Sequence, residues 1–440
     1  MDAAAFFWGG GWLLLGGLGL CVGALVNWAV YELAYNRRPI SPWSPGRRGP
    51  VTWADRVPVW GWLRLRREES TWGKGFWIRP AGVEAAWAVA LPALYWWEVV
   101  VGGVDFASQP ADLATLHVRF AFHAVLFTLM TAGSLIDLDE KTLPDAITLP
   151  GTWLGLLLAA LYPWALLPDL PRIPFEDRLE AILSGHLSTA EIIRDLRSDY
   201  RFLHAASPYP WPFALEGAPN GPALALGLSL WWFWCFALMD RRWHGRLGLR
   251  RAWRYFCARL VRSPASHFAF AMGLVGSLGI VIVWTVGGER WRGLLSALIG
   301  LGAGTALVWG VRLLGGWALG REAMGFGDVV LMALLGTVVG WQGVLIIFFV
   351  APIIALGFGI VHAILRQGTV IPYGPFLCLA AGCVILSWGR LWPELTPIFR
   401  LGWVLPLVLS GCLLLLPPLL VVVRLVREVL EALLIKDIRD

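Results

Sequence analysis

Residues 325–365 read GFGDVVLMALLGTVVGWQGVLIIFFVAPIIALGFGIVHAIL, and the one charged side chain in the stretch, Asp328, stands near its start. A bilayer core of ~30 Å needs about 20 apolar residues per helix. The stretch therefore predicts two membrane helices, 329–348 and 350–365, with a carboxylate at the mouth of the first. A carboxylate at the end of a lipid-embedded helix is costly, so it reads as a functional candidate. Gly325 and Gly327 leave room beside it for a close neighbouring helix or an extended peptide.

Runs of the same kind occur at 6–30, 83–104, 115–136, 146–167, 222–239, 267–287, 293–315, 372–390 and 401–423. The fold class expected is all-α: a polytopic helical membrane protein with about 11 transmembrane helices. Composition agrees, with 58% of the 440 residues hydrophobic and 15% charged, where soluble domains carry nearer a quarter charged. The 28 Trp and 50 Gly suit membrane interfaces and close helix approach. The six Cys, at 21, 235, 257, 378, 383 and 412, form no CxxC and so give neither a disulfide framework nor a zinc signature. The opening MDAAAFFWGG has no basic region before its apolar run, so the first segment reads as a retained helix.

The net charge of +6 does not point to nucleic acid, because no basic stretch carries a reading motif; the surroundings expected are membrane lipids. The basic residues collect in two loops. Loop 31–80 holds ten Lys and Arg, and loop 240–266 holds eight Arg. The positive-inside rule puts both in the cytoplasm, with the N-terminus outside and the C-terminus inside. The long stretch 168–221 then lies outside; it is Pro-rich at both ends and has Ser188 and Glu191 in capping-box spacing, which predicts about two helices. The tail 424–440, with mixed charge and apolar spacing, reads as an amphipathic helix at the cytoplasmic surface.

A second acidic segment, SLIDLDEKTLPDAITLP at 134–150, lies at the cytoplasmic end of the third run. Asp137 and Asp139 are two apart, point to different sides of a helix and cannot be partners. Asp137 and Asp328, 191 positions apart, emerge on the same face. Two carboxylates in a poorly solvated site cannot both ionise cheaply, so one keeps a proton while the other acts as base. Taken singly, Asp328 reads equally well as a helix cap and Asp137 as a charge facing headgroups. The seven His are scattered outside ligand spacing, Trp231, Trp232 and Trp234 read as an interface belt, and Glu98 is a weaker candidate for a substrate-channel group.

These residues carry a resemblance. Ile136-Asp137-Leu138-Asp139 through Leu143-Pro144-Asp145 to Leu149-Pro150 closely resembles the first catalytic motif of type IV prepilin peptidases, which are GxGD-type intramembrane aspartic proteases. Met324-Gly325-Phe326-Gly327-Asp328 resembles their GxGD motif, and Ile371-Pro372-Tyr373-Gly374-Pro375-Phe376 their IPxGP signature. Gly23-Ala24-Leu25-Val26-Asn27 is similar to their N-terminal GSFLN helix, and Asp55 to Trp60 with Arg79-Pro80 to Glu84 is similar to their cytoplasmic domain. The resemblance implies catalysis by Asp137 and Asp328, with Gly325, Gly327, Asp139, Pro144 and Asp145 as supporting motif positions, Asp139 and Asp145 structural or helix-capping. It implies cleavage of the basic leader of pilin or pseudopilin precursors of a type IV pilus or type II secretion system, at the cytoplasmic membrane face just before the precursor's hydrophobic helix. Family members also N-methylate the new N-terminus with S-adenosylmethionine.

The chain departs from the pattern in two ways. Many members carry paired CxxC motifs as a zinc site in the first cytoplasmic loop, whereas loop 31–80 has no Cys, so zinc is not expected. Glu32 stands where the family more often has Arg, and together these changes leave S-adenosylmethionine use and methylation open. The two Asp also lie further apart than in the family, through an insertion that adds two helices, an even number that keeps both on one face. The organisation expected is a first helix (1–30), a cytoplasmic loop without zinc cysteines (31–82), a membrane core with the first Asp (83–167), an insertion (168–292), a membrane core with GxGD (293–423) and a tail (424–440). The peptidase activity itself calls for no cofactor. Two other readings are a proton-coupled transporter or channel, against which stand the lack of inverted repeats and the IPYGPF segment, and a catalytically silent assembly factor, against which stands the presence of both Asp.

Overall fold

The structure is a computed structural model that describes residues 3–45, 47, 51–106, 110–170, 201–239, 249–320, 322, 324–364 and 372–437. The capping box at Ser188 and Glu191 and the Arg-rich residues 240–248 lie outside the described residues. Every regular element described is helical. After a short lead-in at Ala3–Gly11 the helices are α1 (Trp12–Glu32), α2 (Trp60–Leu65), α3 (Ile78–Tyr95), α4 (Leu113–Glu140), α5 (Asp145–Leu161), α6 (Gly221–Leu238), α7 (Leu249–Arg262), α8 (Pro264–Val286), α9 (Gly288–Leu319), α10 (Phe326–Ile364), α11 (Gly374–Leu386), α12 (Trp388–Phe399) and α13 (Val404–Asp437). Among the described residues seven helices are long and apolar enough to cross a membrane, or eight if α11 and α12, which meet at a 95° bend, form one span. The chain is a multi-pass membrane protein.

Local sequence explains the helix ends. Asp112 caps α4 by accepting from the Thr115 N–H at 3.3 Å, and Asn220 caps α6 by accepting from Ala223 at 3.1 Å. Pro222 and Pro264 sit in first turns, where a missing N–H costs nothing. Lys141 ends α4 in the left-handed conformation (φ 56°), its N–H bonded to the Asp137 carbonyl at 2.8 Å, and Pro144 opens α5.

Lipid offers helices no hydrophobic drive to associate, so packing rests on small residues that let backbones touch. The axis of the bundle is α9, 61% of whose most apolar window is buried, against 6% for the peripheral α13. It crosses α10 at paired glycines: a side chain on Gly300 would run into the Gly336 carbonyl, and one on Gly336 into the Gly300 carbonyl. Gly151 and Gly155 do the same for α5 against Leu334 and Thr337 of α10.

The apolar run that opened the sequence reading forms one helical element, but it is broken at Gly340 (φ 67°, ψ 175°) and not near residue 349 as the hydropathy suggested. Trp341 donates to the Ala205 carbonyl and Gln342 to those of His204 and Ser207, all at the end of the bundle far from Asp328. Phe358 meets Phe376, at 5.7 Å, back at the Asp328 end. The chain thus reverses at Gly340, and the two limbs are antiparallel. A left-handed φ is open to glycine without strain. Segments 163–170 and 201–220 cap the far end, joined by an antiparallel bridge between Pro168 and Phe202. The tail from 424 to 437 continues α13 without a break.

Candidate functional site

Three helix ends converge at the other end of the bundle. The tip of α4 carries Asp137, which is 6% exposed. The first turn of α10 carries Asp328, and the first turn of α11 brings in Gly374. The backbone amide of Gly374 bonds to Asp137, and that of Gly325 to Asp328. A Cβ added at Gly374 would lie 2.5 Å from Oδ2 of Asp137 and 3.5 Å from Oδ1 of Asp328. The two carboxyl groups therefore face one point, with those oxygens both within 3.5 Å of it. This is the pair that the sequence brings forward.

The two glycines of the GFGD turn serve differently. At Gly327 a Cβ would lie 2.9 Å from that of Leu143, so this glycine brings the α10 turn against the loop between α4 and α5. At Gly325 the nearest atom is Oδ2 of Asp328 at 3.6 Å, an ordinary contact, and the position is open. Pro144 is the N-cap of α5, and Asp145 follows in its first turn, exposed on the same cavity as the aspartates. Asp139 points away. It forms a two-pronged ion pair with Arg79, at 2.6 and 2.8 Å, and lines no part of the cavity.

The cavity holds about 1100 Å³ and opens over both carboxyl groups. Charged and polar groups are among its lining, including Lys141, Asp145, Arg312, Glu322 and Tyr373. A pocket of this size is at the upper end for small-ligand sites and suits several side chains of a peptide.

Several groups that hold this site were not singled out from sequence. Glu140, at the end of α4, accepts from the Tyr35 and Asn36 N–H groups at 3.0 Å each. It ties the tip that bears Asp137 to the segment after α1, while Asp139 ties it to Arg79 at the start of α3. Arg312, late in α9, donates to the Met324 carbonyl at 3.1 Å and to Glu322 at 2.8 Å, and stacks over Phe326 at 5.5 Å. It braces the GFGD turn from behind. The signal was present, because an Arg in an apolar helix is costly. Buried Glu84 of α3 accepts from Val59 N–H at 2.5 Å, Trp62 Nε1 at 2.8 Å and Asn27 Nδ2 at 3.0 Å. It seats the segment 33–77 on the first two long helices.

That segment is knit by charge and aromatic rings. Asp55 is buried and accepts from Thr52, Arg64 and Arg67 at 2.8 to 3.2 Å. Burial alone would raise its carboxyl, but these bonds outweigh that and hold it at about 2. Arg47 pairs with Glu68 at 2.7 Å, and Arg56 lies over Trp43 and Trp53 at 5.1 and 5.2 Å.

Two expectations fail. Glu98 lines neither the cavity nor a channel; a π-helical turn at Trp96–Val100 points it inward, where it pairs with His123 at 2.7 Å, both residues 1% exposed. The tryptophans of α6 are no interface belt. Trp231 and Trp234 are buried, and Trp231 donates to the Gly273 carbonyl at 2.9 Å while Trp232 reaches Ser277 at 3.0 Å.

The model of the type IV leader peptidase family matches residues 124–190 and 266–360, which include both aspartates. Among characterised proteins the chain is similar to the prepilin leader peptidase/N-methyltransferase of Aeromonas salmonicida, 38% identical over 100 residues, 21% of this chain and 33% of that protein. The protein of that name from Pseudomonas aeruginosa is 36% identical over 96 residues (21% and 33%). The one from Pseudomonas putida is 33% identical over 158 residues (31% and 54%). The chain thus spans about a third to a half of the length of these relatives. No solved structure matches.

Proposed function

We propose that this chain, a member of the type IV leader peptidase family by the match over its aspartate-bearing helices, is a membrane-embedded aspartic endopeptidase that removes the leader of prepilin-like precursors. The observation that carries the reading is the meeting of Asp137 and Asp328 beside Gly374, from positions 191 apart in sequence. Two carboxyl groups in a poorly solvated site hold one negative charge more cheaply than two. The ionised one takes a proton from water as the water oxygen attacks the scissile carbonyl carbon. The protonated one gives its proton to the carbonyl oxygen. Collapse of the diol breaks the C–N bond as the now protonated carboxyl gives its proton to the leaving nitrogen and the ionised one takes the proton of a diol hydroxyl, which restores the starting pair.

Gly325 and Gly327 would serve the pair as backbone donor and close contact, Pro144 and Asp145 as the start of α5, and Asp139 as a tether. The aspartates are assigned to the cytoplasmic face of the bacterial inner membrane, with the N-terminus outside and the C-terminus inside. In support, the Arg-bearing segment 33–77 and the basic helix α7 both lie at the aspartate end of the bundle. The six divisions of the chain are kept as the proposed organisation, although α1, α3, α9 and α13 run across four of their boundaries; the family match leaves out residues 191–265, which hold α6 and α7.

Methyl transfer enters through the relatives' names. The described residues of 33–77 offer no evident cradle for S-adenosylmethionine. Their buried and half-buried acids are engaged internally: Asp55 as above, Glu68 with Arg47 and Trp72, and Glu69 with Gly75 and Trp77. Nor do the described residues include three metal-ligating side chains in one cluster. The test is leader cleavage of a prepilin-like precursor in membranes containing this protein. Asp137→Asn and Asp328→Asn each abolish it while membrane insertion persists, and Asp139→Asn costs far less. Near-normal cleavage by either of the first two would refute the pair.

A further inference from the structure

Between α6 and α8 lies α7, whose sequence LRRAWRYFCARLVR holds five Arg and no acid. No Asp or Glu occurs anywhere from 241 to 288. With about 100° per residue, Leu249, Trp253, Phe256 and Leu260 fall on one face, and Arg250, Arg251, Arg254 and Arg262 lie round the other side with Tyr255 and Val261. None of the side chains described in α7 is buried. Trp253 stacks on Phe256, ring centres 5.7 Å apart, and is still 59% exposed. Arg250, Arg254 and Arg262 are exposed too, with no ion-pair partner among the described residues.

Connectivity decides what this helix can meet. α6 and α8 run antiparallel: Trp231 bonds to the Gly273 carbonyl, Trp232 to Ser277 and, at the far end, Trp284 to the Asn220 carbonyl. Leu238 at the end of α6 and Ala265 at the start of α8 both line the cavity over the aspartates. A helix joining two membrane helices at the same end stays at that membrane surface. Its corner with α8 is fixed, because the Ser263 N–H bonds back to the Arg259 carbonyl at 3.0 Å and His267 Nε2 donates to the Val261 carbonyl at 2.6 Å. α7 falls in the stretch 191–265 outside the family match.

We infer that α7 is an interfacial helix that binds anionic phospholipid at the membrane surface beside the cavity, its Leu249, Trp253, Phe256 and Leu260 face among the upper acyl chains and its Arg side chains on the phosphates. An apolar and aromatic face backed by Arg is the pattern that lies in the plane of the headgroups. A neutral surface would cover the rings and leave the five Arg without counter-charge, whereas an anionic one answers both faces at once. Because the ends of α6 and α8 line the cavity, a helix held in the headgroups holds that rim of the cavity at the same level. The inference does not rest on the endopeptidase reading.

The test uses the full-length protein, Cys-free except for Leu260→Cys carrying an environment-sensitive fluorophore, in vesicles of phosphatidylcholine alone or mixed with phosphatidylglycerol. Lipids with brominated acyl chains should quench the label far more when phosphatidylglycerol is present, and added salt should reduce the difference. Ala258→Cys, on the Arg side, should be quenched little in either. Each Arg near an anionic surface is worth roughly fivefold in binding, so Arg250→Gln, Arg254→Gln and Arg262→Gln together should weaken the lipid-bound state by roughly 10²-fold and remove the phosphatidylglycerol effect. The same three positions changed to Lys should keep it. Equal quenching at 258 and 260, equal quenching in both lipids, a Gln variant that keeps the effect or a Lys variant that loses it would each overturn the inference. So would cross-linking of position 260 to a second copy of the chain in place of quenching, which would give this face to a protein.

Discussion

Gly374→Ala is the smallest change that should disable the site. The added methyl carbon would stand 2.5 Å from Oδ2 of Asp137 and 3.3 Å from its Cγ. An ordinary contact needs about 3.4 Å or more, so the Asp137 carboxylate would have to move by roughly 1 Å, or α11 would have to retreat by as much. A displacement of about 1 Å at reacting groups costs on the order of 10²-fold in rate. The bond from the Gly374 amide to Asp137 would be stretched by the same motion. The expected result is a loss of at least ~10²-fold in leader cleavage with normal membrane insertion and an unchanged melting transition. Gly325→Ala is the matched control, since its nearest contact is an ordinary 3.6 Å, and it should keep most of the activity although it alters the GxGD signature. The assay is cleavage of a precursor in detergent or vesicles, with both variants compared at equal amounts. Full activity in Gly374→Ala, or a greater loss in Gly325→Ala than in Gly374→Ala, would show that the aspartates do not meet at this point.

Arg312→Gln should loosen the GFGD turn and lower kcat about tenfold or more with little change in KM; a change in KM alone would assign Arg312 to substrate binding instead. Asp55→Asn should destabilise the segment 33–77 by at most about 2 kcal/mol, because the folded carboxyl sits at about 2 against an ordinary 3.8 and its Arg partners are partly screened. A depressed carboxyl contributes fully above its unfolded value and loses that contribution as pH falls towards 2. Limited trypsin cleavage at Arg64 and Arg67 should therefore separate wild type from Asp55→Asn equally at pH 5 and pH 8, and a gap that closes at pH 5 would contradict the ion cluster. Single cysteines in a Cys-free background should be labelled by an impermeant thiol reagent from outside at Phe213→Cys and not at Trp253→Cys; the reverse would invert the proposed orientation.

What hydropathy can report is how much of a helix meets lipid, and this explains both its reach and its errors here. Asp137 and Asp328 were legible because a carboxylate in apolar sequence has a large energetic cost and few bland uses. Counting spans then put both on one face without any structure. The same measure read through Gly340, because Val339, Trp341 and their neighbours are apolar on both sides of the reversal. The tryptophans of α6 were misread for a related reason. An indole suits a membrane interface and a helix crossing equally well, and only the glycines of α8, forty residues on, decide between them. Glu98 was misread because the sequence holds nothing to say that a π-helical turn would aim it at His123.

The segment 33–77 contains no cysteine, and its described residues are held by charge and aromatic contacts. A metal clip contributes folding energy through a few strong bonds that do not depend on neighbours. The contacts seen here are Asp55 with two Arg, Arg47 with Glu68, and Arg56 over two Trp rings, none of which would hold singly in water. They act together because the Asp55 side chain is fully buried and its oxygens are all engaged. The load passes on through Glu84 to α1 and α3, and through Glu140 and the Arg79–Asp139 pair to the tip of α4. Two of the three acids of Asp137-Leu138-Asp139-Glu140 thus anchor the helix end on which the other does its chemistry. For Asp139 that division follows from helix geometry, since two residues at about 100° each put it on the other side of α4 from Asp137; Glu140, only about 60° round from Asp137, is drawn off the cavity by its bonds to the Tyr35 and Asn36 amides.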